Sequence, residues 1–128
     1  MLANFRTTGI RTEKGTLGYT ANASAVSTAR SGRSTAQKRG NVRSMFSGGV
    51  AYNKSNSSQP LTALLEITDG TTSRVLDRVT VQKGDSTVWR AEDFGIVLEP
   101  DEYAKVTCVE TFASGDVMNV FLHSKDII

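Results

Sequence analysis

The chain has 128 residues, a formal net charge of +2 and a hydrophobic share of 38%, which suits one small domain and falls below the usual apolar content of a compact one. One cysteine and one histidine exclude an intrachain disulfide framework and, within a single chain, a multi-cysteine or multi-histidine metal site. No apolar run approaches the roughly 18 residues that cross a bilayer as a helix.

The small net charge hides an asymmetry. Residues 1–58 hold nine bases (Arg6, Arg11, Lys14, Arg30, Arg33, Lys38, Arg39, Arg43, Lys54) and one acid, Glu13, so they carry 9 − 1 = +8. Residues 59–128 hold six bases and twelve acids, 6 − 12 = −6. The change falls near Ser57-Ser58-Gln59-Pro60 and suggests a basic arm and linker over 1–58 joined to a domain over 59–128.

In chain order, Met1 to Tyr19 mixes glycine, threonine and charge, with Leu2, Phe5, Ile10, Leu17 and Tyr19 scattered through it. No periodic face emerges, so this stretch reads as an extended arm or short strands. Thr7, Thr8, Gly9 and Arg11 interrupt it too early for a signal-peptide core, so synthesis in a cytoplasm is expected. Thr20 to Ser44 has only Val26 and Val42 as larger aliphatics and cannot offset its own chain entropy. Alanines at 21, 23, 25 and 29 would permit a short helix, which Gly32 and Gly40 would cut. Val50-Ala51-Tyr52 reads as an edge strand, and Asn53 to Pro60 as a linker.

From Leu61 onward the period is two. Leu61, Ala63, Leu65 and Ile67 alternate with Thr62, Leu64, Glu66 and Thr68, which makes a strand. Asp69-Gly70 is a hairpin turn signal. Further strands are expected at about 73–82, 87–89, 94–98, 103–110 and 117–123, split by Lys83-Gly84-Asp85, Glu99-Pro100-Asp101-Glu102 and Ala113-Ser114-Gly115-Asp116. Turns every 8–12 residues or so are the rhythm of a β-sandwich. The expected fold is therefore all-β, an antiparallel β-sandwich of jelly-roll or immunoglobulin-like type, with a long basic N-terminal arm. A core this small, with edges to protect, favours a homo-oligomer.

No constellation reads as catalytic, metal-binding or cofactor-binding. His123 ends a strand, and no Gly-x-Ser-x-Gly elbow accompanies it. Acids cluster at Glu99, Asp101 and Glu102 without the spacing of a calcium loop. Ser47-Gly48-Gly49 lacks a P-loop lysine. Cys108 falls on an apolar strand face and reads as a small buried hydrophobe. Trp89 reads as a core residue, with a sugar-stacking platform as its functional alternative. The one strong signal is the basic tract: Arg30, Arg33, Lys38, Arg39 and Arg43 would meet phosphates, but no aromatic interleaves with them for base stacking. An acidic protein surface is the first expected partner and nucleic acid the second. Leu2, Phe5, Ile10, Leu17 and Tyr19 would be the arm's apolar anchors.

Three stretches, Thr62 to Gly70, Val75 to Val81 and Ile96 to Val106, resemble small β-sandwich virion proteins of tailed bacteriophages, where a strand, an Asp-Gly turn and a second strand precede a Leu-Glu-Pro turn and a last strand. The resemblance covers Leu61 to His123, with Asp101-Glu102 standing where a glycine-acid pair is commoner. It implies a non-enzymatic structural role in the virion, docking on the capsid, neck or tail as a decoration protein whose partners are other virion proteins. Two other classes stay open: a carbohydrate-binding or receptor-binding tip using Trp89 and Tyr103, and a nucleic-acid-binding accessory protein using the basic tract. No membrane partner is expected.

Overall fold

The computed structural model describes residues 10–20, 23–25, 29–31, 43–56, 59–99 and 101–127. Along them run β1 (Arg11–Thr20), β2 (Ala23–Ala25), β3 (Ala29–Ser31), β4 (Arg43–Asn53), β5 (Leu61–Thr68), β6 (Ser73–Val81), β7 (Ser86–Trp89), a single helical turn α1 (Ala91–Phe94), β8 (Ile96–Leu98), β9 (Tyr103–Cys108) and β10 (Val117–Ile127). All pairings are antiparallel. The first sheet has the order β2-β1-β10-β4-β7, with β8 also on β4, and the second has the order β3-β9-β5-β6.

These orders are nested. β1 pairs β10, β3 pairs β9, β4 pairs β7, and β5 pairs β6. The chain is one long hairpin folded in half and then rolled, so that alternate segments land in opposite sheets. That is a jelly roll, which resolves the expectation in favour of that topology over the immunoglobulin-like one.

Alternation of side chains builds the core. Leu61, Ala63, Leu65 and Ile67 on β5 and Ala104, Val106 and Cys108 on β9 face Met118, Val120 and Leu122 on β10 and Phe46 and Ala51 on β4. The strands expected after Leu61 are present with small shifts. β9 stops at Cys108, β10 runs on to Ile127, and α1 occupies the start of the strand expected at 94–98.

Ahead of residue 59 the structure departs from expectation. β1 and β4 are integral strands of the first sheet, and β10 lies between them. Leu17, Phe46 and Ala51 are buried in the core. The sandwich therefore draws on both sides of residue 58 and has no boundary there. The alanines expected to favour a helix lie instead in the short strands β2 and β3 where the backbone is described.

Gly48 allows β4 to bend. Between the pairs Leu122–Gly49 and Ser124–Phe46, β4 spends two residues, Ser47 and Gly48, against His123 alone. The extra residue makes a bulge. Gly48 has φ +89°, and a Cβ there would sit 2.0 Å from the Trp89 carbonyl oxygen. At the same point the other edge of β4 changes partner, from β7 to β8, with α1 spanning the gap.

One end of the sandwich is tied together by a buried amide. Asn53, the last residue of β4, is fully buried. Its Nδ2 donates to the carbonyls of Val81 (2.9 Å) and Gln59 (3.3 Å), and its Oδ1 accepts the Ser55 N–H (3.1 Å). Its backbone N–H donates to the Asp85 carbonyl, and its carbonyl accepts the Gly84 N–H. The Ser55 hydroxyl in turn accepts the Val117 N–H at 3.1 Å. The opposite end is closed by Arg11, whose guanidinium donates to Asp126 (3.2 Å) and to the Ser124 hydroxyl (3.0 Å), with Ser44 donating to the same carboxylate oxygen at 3.0 Å.

Two stability tests follow from this geometry. Gly48→Ala combines left-handed backbone strain with a steric clash, and should cost on the order of 3 kcal/mol, lowering the melting temperature by about 10 °C; an unchanged melting temperature would place the bulge elsewhere. Asn53→Asp keeps the size but turns an oxygen toward the Val81 carbonyl. Its melting temperature should fall below wild type, and the gap should widen as pH rises through the carboxylate range.

Candidate interaction surface

The outer face of the first sheet is the most distinctive surface among the described residues. On β10, Met118, Val120, Leu122 and Ser124 are buried, so Asn119, Phe121, His123 and Lys125 point away from the core. Register aligns one rung across four strands: Lys14, Phe121, Val50 and Val88. The next rung is Thr16, Asn119, Tyr52 and Ser86. On the other side of the bulge, Met45 lies between Lys125 and Val97.

This face is apolar at its centre, and its charged outward positions on the described strands named here, Lys14 and Lys125, are cationic. Val88 is 56% exposed and Tyr52 37%, while Val50 and Phe121 are half-buried. The Lys14 ammonium stands 5.9 Å from the Phe121 ring centroid, a cation–π contact that holds its charge over the patch. The Thr12 hydroxyl is 2.9 Å from His123 Nδ1. None of the outward positions just named is acidic. The second sheet differs: its outward rungs bring Lys105 beside Glu66 and Leu64 beside Arg78, so both signs alternate.

Five exposed acids stand at one edge and the adjoining end. Glu92 and Asp93 are exposed on α1, beside the β4–β7 edge. Asp69 in the β5–β6 turn, and Glu99 and Asp101 in the β8–β9 turn, are exposed at the end closed by Arg11. Asp69 Oδ1 accepts the N–H groups of Thr71 and Thr72 at 2.8 and 2.7 Å. Those bonds, Thr72 first, hold its pKa below the ordinary value, so the turn keeps its charge.

The basic tract has a definite place in the topology. Ser31, at the end of β3, pairs with Ala104, and Arg43, at the start of β4, pairs with Ile127. The residues that flank the tract, where a free arm was expected, thus belong to strands of opposite sheets at the end of the acidic turns. Arg30 lies opposite Lys105 in the register. Arg33, Lys38 and Arg39 lie outside the described residues, as do Leu2 and Phe5. Of the other expected anchors, Ile10 and Tyr19 are 64% and 46% exposed, and both remain available to a partner. Leu17 is fully buried inside the sandwich and cannot anchor anything outside it.

Two other residues singled out in the sequence have structural surroundings. Trp89 is 2% exposed, with its Nε1 donating to Asp77 Oδ2 at 2.8 Å. That bond links β7 in one sheet to β6 in the other and removes the ring as a sugar platform. Burial first, and then the neighbouring Glu110, push the Cys108 thiol up to about 12. A thiol so protonated is a poor nucleophile. Among the described residues, no cluster of three His, Cys, Asp or Glu side chains is placed to hold a metal ion, and no helix is long and apolar enough to cross a membrane. No family model matches the chain, and no curated protein is similar enough to count as a relative.

The outer face escapes a reading of sequence because β1 gives too weak a signal and β4, expected only as an edge strand at Val50-Ala51-Tyr52, lies between β10 and β7. Alternation of Thr12, Lys14 and Thr16 with Glu13, Gly15 and Leu17 was the available signal, weakened by a single large apolar residue. Glu110 offers a test of the structure on the second sheet. Its carboxylate accepts the Thr62 hydroxyl at 2.6 Å and the Thr62 N–H. Burial opposes its charge, but its hydrogen bonds together, with Thr62 foremost, outweigh that and lower its pKa. A carboxylate whose pKa falls on folding stabilises above its ordinary value near 4.5 and loses that contribution as pH drops through the lowered one. Glu110→Gln should therefore reduce stability at neutral pH by about 1 kcal/mol and converge on wild type in acid. Parallel stability curves from neutral to acid pH would dismiss the role of this carboxylate.

Proposed function

We propose that the protein is a non-enzymatic structural subunit of a virus particle, of the kind that decorates the capsid, neck or tail of a tailed phage. The observation that carries this reading is the jelly-roll topology, with Ser31 and Arg43, which flank the strongly basic tract of the sequence, at one end of it. Jelly rolls recur in viral shells, and also in lectins and cupins. Fold alone therefore decides nothing, and local chemistry must separate the three. A cupin metal site draws on several histidines, and this chain has one. A lectin presents an accessible aromatic platform, and Trp89 is buried with its N–H engaged. A shell subunit needs a closed core, an adhesive face and charge to meet its neighbours, which matches the layout of this chain. Docking would use the outer face of the first sheet, exposed Ile10 and Tyr19, and the cations at Arg30, Arg33, Lys38, Arg39 and Arg43.

The test is the composition of particles. Virions carrying the gene for this chain, purified on a density gradient, should contain it in a fixed ratio to the major shell protein. Replacing Arg33, Lys38 and Arg39 together with serine should lower that ratio several-fold while the purified variant keeps its β-sheet circular dichroism. Absence of the wild-type chain from the particle band would overturn the reading.

A further inference from the structure

We propose that the outer face of the first sheet is a self-docking surface whose occupant is the acidic edge of a second copy of this chain, where Glu92 and Asp93 stand on α1. The inference goes beyond the virion reading and does not require it, because it concerns the isolated protein.

Three observations converge. The rung Lys14–Phe121–Val50–Val88 places an apolar centre on four adjacent strands, and Val88, its most exposed member, is 56% accessible. Among the outward positions of the described strands around that centre, Lys14 and Lys125 are cationic and none named is acidic, and Tyr52 and Met45 add the side chains that protein interfaces favour. The complementary charge is on the same molecule at another edge, where Glu92 and Asp93 are exposed on α1.

The face and the acidic edge are different surfaces of one subunit, so the contact is heterologous: the edge of one copy meets the face of the next. Repeated, such a contact closes into a ring or extends as a row. A two-fold arrangement placing face on face would bring Lys14 and Lys125 of each copy together, and like charges disfavour it. Single-stranded nucleic acid is the competing occupant, because an aromatic and cationic sheet can stack bases. The aliphatic character of Val50, Val88, Met45 and Val97 favours protein, since aliphatic side chains add nothing to base stacking.

The experiment is sedimentation velocity on the purified full chain. Wild type should self-associate in a concentration-dependent way, with affinity falling about tenfold between low and about 0.5 M salt. Val88→Glu should abolish association, and Val88→Ser should weaken it, with melting temperatures within a few degrees of wild type because residue 88 faces outward. Lys14→Glu with Lys125→Glu, and separately Glu92→Lys with Asp93→Lys, should each give a monomer. Mixing those two double variants should restore association, since one supplies an intact acidic edge and the other an intact basic face. A monomeric wild type, or a mixture that stays monomeric, would overturn the proposal. So would a monomer that binds an oligothymidylate through Lys14 and Phe121, which would assign the face to nucleic acid.

Discussion

A single buried amide sets the terms on which this sandwich closes. Asn53 sits where β4 leaves the first sheet, and every polar atom it has is engaged. A primary amide placed in a core without partners is costly, and with all of them satisfied it becomes a constraint on position. Its bonds reach the start of β5 through Gln59, the end of β6 through Val81 and the following turn through Gly84 and Asp85. Ser55 and Val117 extend the same network to the entry of β10. Asp116, also buried, accepts the Gln59 side chain at 3.1 Å and the Ala113 N–H at 2.8 Å. Three loops at one end are thereby fixed relative to each other before any side chain on the surface is considered.

The two ends differ in chemistry as a result. At the Asn53 end the bonds run largely between backbone and buried side chains. At the opposite end ion pairs join the network, Arg11 with Asp126 and Arg74 with Glu102 at 3.6 Å, and the latter pair is exposed enough to contribute little. Ser31 and Arg43, which flank the basic tract, and the acidic turns all belong to this second end.

Much of the second sheet was legible in the sequence, because β5 and β9 bury large aliphatics on one face only, and Asp69-Gly70 marks the turn between β5 and β6. The first sheet was less legible for a physical reason. β4 faces the core with Ser44, Phe46, Gly49, Ala51 and Asn53, mostly small or polar, so hydrophobic period two is muted. Its Gly48-Gly49 pair resembles a turn and is a bulge. β1 buries one large side chain, Leu17, and borrows the rest of its stability from pairing with β10. Charge pointed to a division at residue 58, but charge reports on surfaces, whereas β1 and β4 are held by their inward sides. The apolar and cationic face could not be foreseen from spacing, since it exists only once β1, β10, β4 and β7 lie side by side.

The central position of β10 has a consequence for how the protein is made. Arg11 pairs with Ser124 and Asn53 with Met118, so both long neighbours of β10 precede it in the chain, one by more than a hundred residues. A ribosome releasing the chain in order exposes β1 and β4 with no strand between them, and their pairing edges stay open until Val117 to Ile127 emerges. The second sheet has no such wait for its β5–β6 hairpin, which is local. Assembly of the first sheet is thus a late, long-range step of the kind that slows β-rich domains. Until that step, the nascent chain presents open strand edges to other chains, and crowded translation of the same message would favour exchange of β10 between copies.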